Sequence, residues 1–71
     1  MTNITIQTPY IKLDALLKFA ALCSSGGEAK AVIQEGLVSV NGEICVQRGK
    51  KIIPGDTVAF SNTELTVTHE N

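Results

Sequence analysis

Two short stretches carry residue types that suit binding of an anion. One is Ser25-Gly26-Gly27-Glu28-Ala29-Lys30. Ser followed three residues later by Glu is a capping box, so Ser25 is expected to open a helix. The first N–H groups of a helix have no intrahelical partner, and the helix dipole favours negative charge there. Gly26 and Gly27 lack Cβ atoms, so a phosphate can approach their backbone closely. Lys30, one turn on, can reach the same anion. A plain capped turn with no ligand is the competing reading of this stretch. The other stretch is Arg48-Gly49-Lys50-Lys51, three cations in four residues around a glycine that lets the backbone bend. A solvated basic loop is its competing reading. Lys12 and Lys18 add charge upstream, but six residues place them about 120° apart around a helix, so they form no single stripe.

Catalysis finds little support. His69 is the only histidine and lies near the C-terminus, where fraying is expected. Glu28, Asp56 and Asp14 have ordinary duties in a cap, a turn and a first helical turn. Cys23 and Cys45 have no His or Asn partner in a nucleophile pattern and no zinc-ligand spacing. They read as reduced thiols, buried as small apolar residues. No Gly-Lys-Ser/Thr follows Gly26-Gly27, so this is not a P-loop. No cofactor, metal site or enzyme activity is expected.

Seventy-one residues make one small domain with a thin core. An apolar content of 44% is enough to fold. Only Tyr10, Phe19 and Phe60 are aromatic, which excludes a multi-aromatic platform for stacking single-stranded bases. No apolar run approaches the length of a membrane helix, and no basic leader opens the chain, so a cytoplasmic protein is expected. Net charge is −1, but it is polarised. Residues 12–51 hold all six basic residues against four acidic ones, a balance of +2. Residues 52–71 hold three acidic residues and no basic one. A polyanion responds to the local patch, not to the total.

The elements that must position these residues follow from periodicity. Asn3–Gln7 alternates as a strand and Thr8-Pro9 breaks it. Leu13, Leu16, Leu17, Ala20 and Ala21 mark one face of a helix running to about Leu22, with Asp14 in its first turn and able to pair with Lys18. The second helix is expected over about 26–35, with Gly36 in the left-handed position past its end. Leu37–Val40 and Glu43–Val46 flank Asn41-Gly42, the strongest short hairpin signal. Gln47–Lys51 is a loop, and Pro54-Gly55-Asp56 a turn. Thr57–Phe60 and Glu64–Thr68 form a second hairpin around Ser61-Asn62-Thr63.

Taken together, Lys12-Leu13-Asp14, Ser25 through Ala29, Gly36-Leu37-Val38-Ser39-Val40-Asn41-Gly42 and Gly55-Asp56 resemble the motif of the S4 RNA-binding domain family. The match covers about residues 10–60. The Ser25–Lys30 and Arg48–Lys51 segments resemble more narrowly the stand-alone bacterial YaaA/YbcJ-type S4 proteins. The resemblance implies an α+β fold, the αL fold, with a two-helix hairpin on a small, bent antiparallel sheet. It also implies binding of structured RNA, commonly ribosomal or transfer RNA. Lys12 takes the place of the family's leading Arg. Many S4 domains have Arg directly after the Ser where this chain has Gly26.

The chain is therefore expected to be a single S4-like domain over 1–71, a non-catalytic RNA-binding module and a monomer. Lys12, Lys18, Ser25, Gly26, Gly27, Lys30, Arg48, Lys50 and Lys51 are its expected RNA contacts, and Asn41 mainly makes its turn. The alternative is an adaptor that docks on a ribosomal or RNA-processing protein through an edge strand or the acidic C-terminal hairpin.

Overall fold

The computed structural model describes residues 2–70. The N-terminal alternation forms β1 (Thr2–Ile6), and a two-residue strand β2 (Ile11–Lys12) leads directly into helix α1 (Leu13–Phe19). Helix α2 (Gly26–Gln34) follows a six-residue bend. The remaining strands are β3 (Val38–Val40), β4 (Glu43–Ile44), β5 (Lys51–Ile52), β6 (Thr57–Phe60) and β7 (Thr63–His69). Five strands pair in the order β1-β7-β6-β3-β4, while β2 and β5 form a separate two-stranded piece.

The α+β architecture with a helix hairpin is the expected one, but the large sheet is mixed. The first strand lies parallel to the last, Ile4 opposite Val67 and Ile6 opposite His69. Thr5 and Thr68 hydroxyls bond across this pair at 3.0 Å. The Glu70 N–H donates to the Ile6 carbonyl, and Gln7 Nε2 donates to the Glu70 carboxylate. His69 and Glu70 are thus tied down, contrary to the expected fraying. Asn71 lies outside the described residues.

Helix α1 ends three residues earlier than its apolar spacing suggests. The N–H of Ala21 donates to the Lys18 carbonyl and that of Leu22 to the Leu17 carbonyl. This is the Schellman arrangement, with Ala21 in the left-handed position at φ 61°. Helix α2 ends the same way, Gly36 to Ile33 and Leu37 to Val32, with Gly36 at φ 77°. One termination carried its glycine signal and the other did not. At the start of α2, Ser25 Oγ accepts the Glu28 N–H at 3.2 Å as expected. The reciprocal arm of the capping box is absent, because the Glu28 carboxylate accepts from Ser24 Oγ instead. Asp14 accepts from the Ala15 N–H rather than pairing with Lys18.

Asn41 and Gly42 both have positive φ, as a two-residue hairpin turn requires. Ser61 and Asn62 adopt the same sign, so the second hairpin closes on two residues and Thr63 joins β7 opposite Phe60. Only Glu43 and Ile44 of the expected 43–46 strand are assigned to β4.

Leu13, Leu16 and Leu17 of α1 and Ala29 and Ile33 of α2 pack against Val38, Val40, Val58, Leu65 and Val67 of the sheet. Burial of five aliphatic side chains at 1.5–3 kcal/mol each supplies roughly 10 kcal/mol from the sheet side alone. Cys23 is buried in the same core and Cys45 is half-buried; both are free thiols. Burial, reinforced by the neighbouring Glu28 carboxylate, pushes the Cys23 thiol up.

Candidate nucleic-acid interface

The β2–β5 pair organises the basic residues. Ile11 lies opposite Ile52 and Lys12 opposite Lys51. Ile52 is fully buried and Ile11 half-buried, so the isoleucines anchor the pair in the core. The start of α1 then fastens to the loop beside it. The Leu13 N–H donates to the Lys50 carbonyl at 2.9 Å, and the Asp14 N–H to the Arg48 carbonyl at 3.1 Å. These bonds occupy two N–H groups that a helix start leaves orphaned. Lys12 and the Arg48–Lys51 loop, 36 residues or more apart in the chain, thereby become one cluster of four exposed cations.

Two of these cations face each other. Like charges directly opposite on paired strands are destabilising. The folded protein relieves part of this by placing Lys51 Nζ 4.9 Å from the centre of the Tyr10 ring. Such an exposed cation–π contact contributes about 0.5–1 kcal/mol. Among the described residues no carboxylate forms an ion pair with Lys12, Arg48, Lys50 or Lys51. Tyr10 is the one member of this site that sequence reasoning missed. Its only signal was an aromatic residue two positions before Lys12.

The other expected contacts lie on other elements. Lys18 lies in the last turn of α1, which spans roughly 10 Å over its seven residues. The bend after it folds back on the same end, since Leu22 and Cys23 both donate to the Leu17 carbonyl. Helix α2 then starts three residues after Cys23. There the Gly26 and Gly27 amides have no intrahelical acceptor, and both glycines are exposed. A Cβ at Gly26 would meet nothing within 4 Å, so packing does not demand glycine there. Lys30 is exposed on α2.

Asn41 does more than turn the chain. Its Oδ1 accepts the Thr57 N–H at 2.9 Å, and its Nδ2 donates to Asp56 Oδ1 at 3.1 Å. The other Asp56 oxygen accepts the Ile53 N–H at 3.0 Å. The Asn41-Gly42 turn, the Pro54-Gly55 turn and the start of β6 are thus locked together, just after β5 in the chain.

A sheet flanked by a helix hairpin, with a cationic loop hydrogen-bonded to the first helix, fits the S4 domain class. The family's sequence profile matches residues 4–68, and the chain belongs to the S4 domain family. YbcJ of Escherichia coli K12 is 37% identical over 59 residues, covering 83% of this chain and 84% of that one. The probable ribosome maturation protein RlbA of Bacillus subtilis 168 is 44% identical over 55 residues, 78% of each chain. The solution structure of E. coli YbcJ superposes with a TM-score of 0.73 at 33% identity, over 96% of this chain and 87% of that one. That structure is described as revealing an αL motif involved in RNA binding.

Among the described residues no three His, Cys, Asp or Glu side chains gather as metal ligands, and no helix is long and apolar enough to cross a membrane.

Proposed function

We propose that this protein is a non-catalytic module that binds structured RNA in a ribosome-related role. The observation that carries this reading is the cluster of Lys12, Arg48, Lys50 and Lys51. The fold holds these cations together against their mutual repulsion and without carboxylate partners. A polyanion that neutralises them relieves that repulsion. Sites of this kind, unfavourable within the free protein, are expected where function demands them. The RNA-binding description of the YbcJ motif and the ribosome maturation name of RlbA support the same reading.

In this mechanism the four cations contact consecutive phosphates of one backbone stretch. The Gly26 and Gly27 amides with the Ser25 cap take a phosphate of a neighbouring stretch, and Lys18 and Lys30 add charge around it. Two phosphate sites on separate elements suit recognition by shape, which is how proteins read A-form RNA. No aromatic platform is needed for that. Ribosomal RNA, or transfer RNA in its ribosomal context, is the proposed partner class, with the protein acting as a monomer in the cytoplasm.

The test is the double charge reversal Lys50→Glu with Lys51→Glu. Both side chains are exposed, so the fold is retained. Affinity for a ribosomal RNA fragment is expected to fall at least tenfold, with a salt slope shallower by about 2, one per lost phosphate contact. Unchanged affinity in the folded double variant removes the loop from the site.

A further inference from the structure

Beside the cation cluster one uncharged side chain holds a cation: the centre of the Tyr10 ring lies 4.9 Å from Lys51 Nζ. The pairing of β2 with β5 explains the contact. Lys51 stands opposite Lys12, and Tyr10 precedes Lys12 by two residues, the spacing of one face of an extended chain. Tyr10 is therefore the diagonal neighbour of Lys51, a separation that an aromatic and a long side chain can span. The backbone that carries the ring is held on both sides. The Thr8 hydroxyl donates to the Tyr10 carbonyl at 2.8 Å, Pro9 has its φ fixed just before, and Ile11 packs on the core just after. Tyr10 is 39% exposed, so the core does not require an aromatic ring there.

We propose that Tyr10 is a positioning residue of the RNA site: it holds the Lys51 ammonium beside Lys12, so that a phosphate meets both charges. This role rests on the RNA-binding reading above and adds to it a residue that carries no charge of its own. Without the ring, repulsion between the facing lysines drives Lys51 away from Lys12 into solvent. A free lysine side chain also samples many rotamers, and ordering it on a phosphate costs affinity. The ring limits both effects before RNA arrives. The contact survives phosphate binding. The ring face occupies one side of the ammonium, and the exposed Lys51 side chain keeps N–H donors for an anion on the other. The attraction comes from the ring face and not from the hydroxyl, so Phe serves as well as Tyr. Leucine, apolar but without a ring face, does not.

The experiment is a double-mutant cycle on affinity for a ribosomal RNA fragment. Tyr10→Leu is expected to weaken binding about threefold, in line with the cost of ordering one long side chain. Its salt slope is expected to stay unchanged, because no phosphate contact is lost. Tyr10→Phe is expected to bind as the original protein does. Lys51→Met is expected to make the slope shallower by about one, and adding Tyr10→Leu to it is expected to cost nothing further. The RNA-free protein gives a second readout that needs no binding. The ring current of Tyr10 is expected to shift the Lys51 ε-methylene protons upfield in the NMR spectrum; Tyr10→Phe keeps that shift and Tyr10→Leu removes it. An equal loss from Tyr10→Leu with and without Lys51→Met overturns the positioning role, since Tyr10 then acts on the RNA or on the fold directly. Unchanged affinity in Tyr10→Leu, or no upfield shift in the original protein, overturns it as well. In each of these cases salt-sensitive RNA binding by the original protein leaves the RNA reading standing. Absence of that binding, with the upfield shift present, overturns the RNA reading and this role with it.

Discussion

Asn41 shows how a residue chosen by a turn becomes a tie between three segments. Its left-handed backbone, at φ 52°, explains its type at the hairpin. Its side chain also accepts from Thr57 and donates to Asp56. Asn41→Ala removes both bonds and places a Cβ-only residue in the left-handed region. A loss of about 2 kcal/mol in unfolding free energy is expected, read by urea denaturation. A change below about 0.5 kcal/mol contradicts the tie. The turn was legible in the sequence because Asn-Gly is a local signal. The bonds to Thr57 and Asp56 were not, because they span 15 or 16 residues and depend on how two turns meet in space. The same holds for Tyr10, whose contact with Lys51 exists only once β2 and β5 pair. The cations themselves were all legible, being set by residue type alone.

At the scale of elements, the two helix ends separate what local sequence signals from what packing imposes. Both ends form the same Schellman arrangement. Gly36 announced one of them. Ala21 concealed the other, since its apolar side chain continues the helical spacing of Leu13, Leu16, Leu17 and Ala20. Half-buried Leu22, packed on the core, fixes the reversal instead. A left-handed alanine costs roughly 1–2 kcal/mol. Ala21→Gly is therefore expected to stabilise the protein by about 1 kcal/mol, seen as a higher thermal midpoint by circular dichroism. A lower midpoint contradicts the strained backbone at this position. The two-residue strands β2 and β5 escaped sequence reading for another reason. Two residues carry no periodicity, and only burial of Ile11 and Ile52 specifies the pair. Yet that pair is the element on which the candidate site depends, because it carries Lys12 to Lys51.

Over the whole molecule, the charge is separated in the chain and the fold preserves a basic region. The net charge of −1 masks a cluster of four cations at one end of α1. An overall acidic protein with a local basic site is expected to bind polyanions weakly at random and more tightly where phosphates match its spacing. The α+β class and the helix hairpin could be read from the sequence and its family resemblance. The parallel pairing of β1 with β7 could not, since it joins the two ends of the chain and no local feature encodes it. The double charge reversal belongs to the site. The salt response belongs to the whole surface and tests the central claim most directly. Affinity for ribosomal RNA fragments should be measured across a salt series with duplex DNA as competitor. With about five phosphates engaged, log K is expected to fall against log salt with a slope of roughly −3.5 to −4.5, and DNA is expected not to displace the RNA. A slope near zero, or no binding at low salt, would contradict the account.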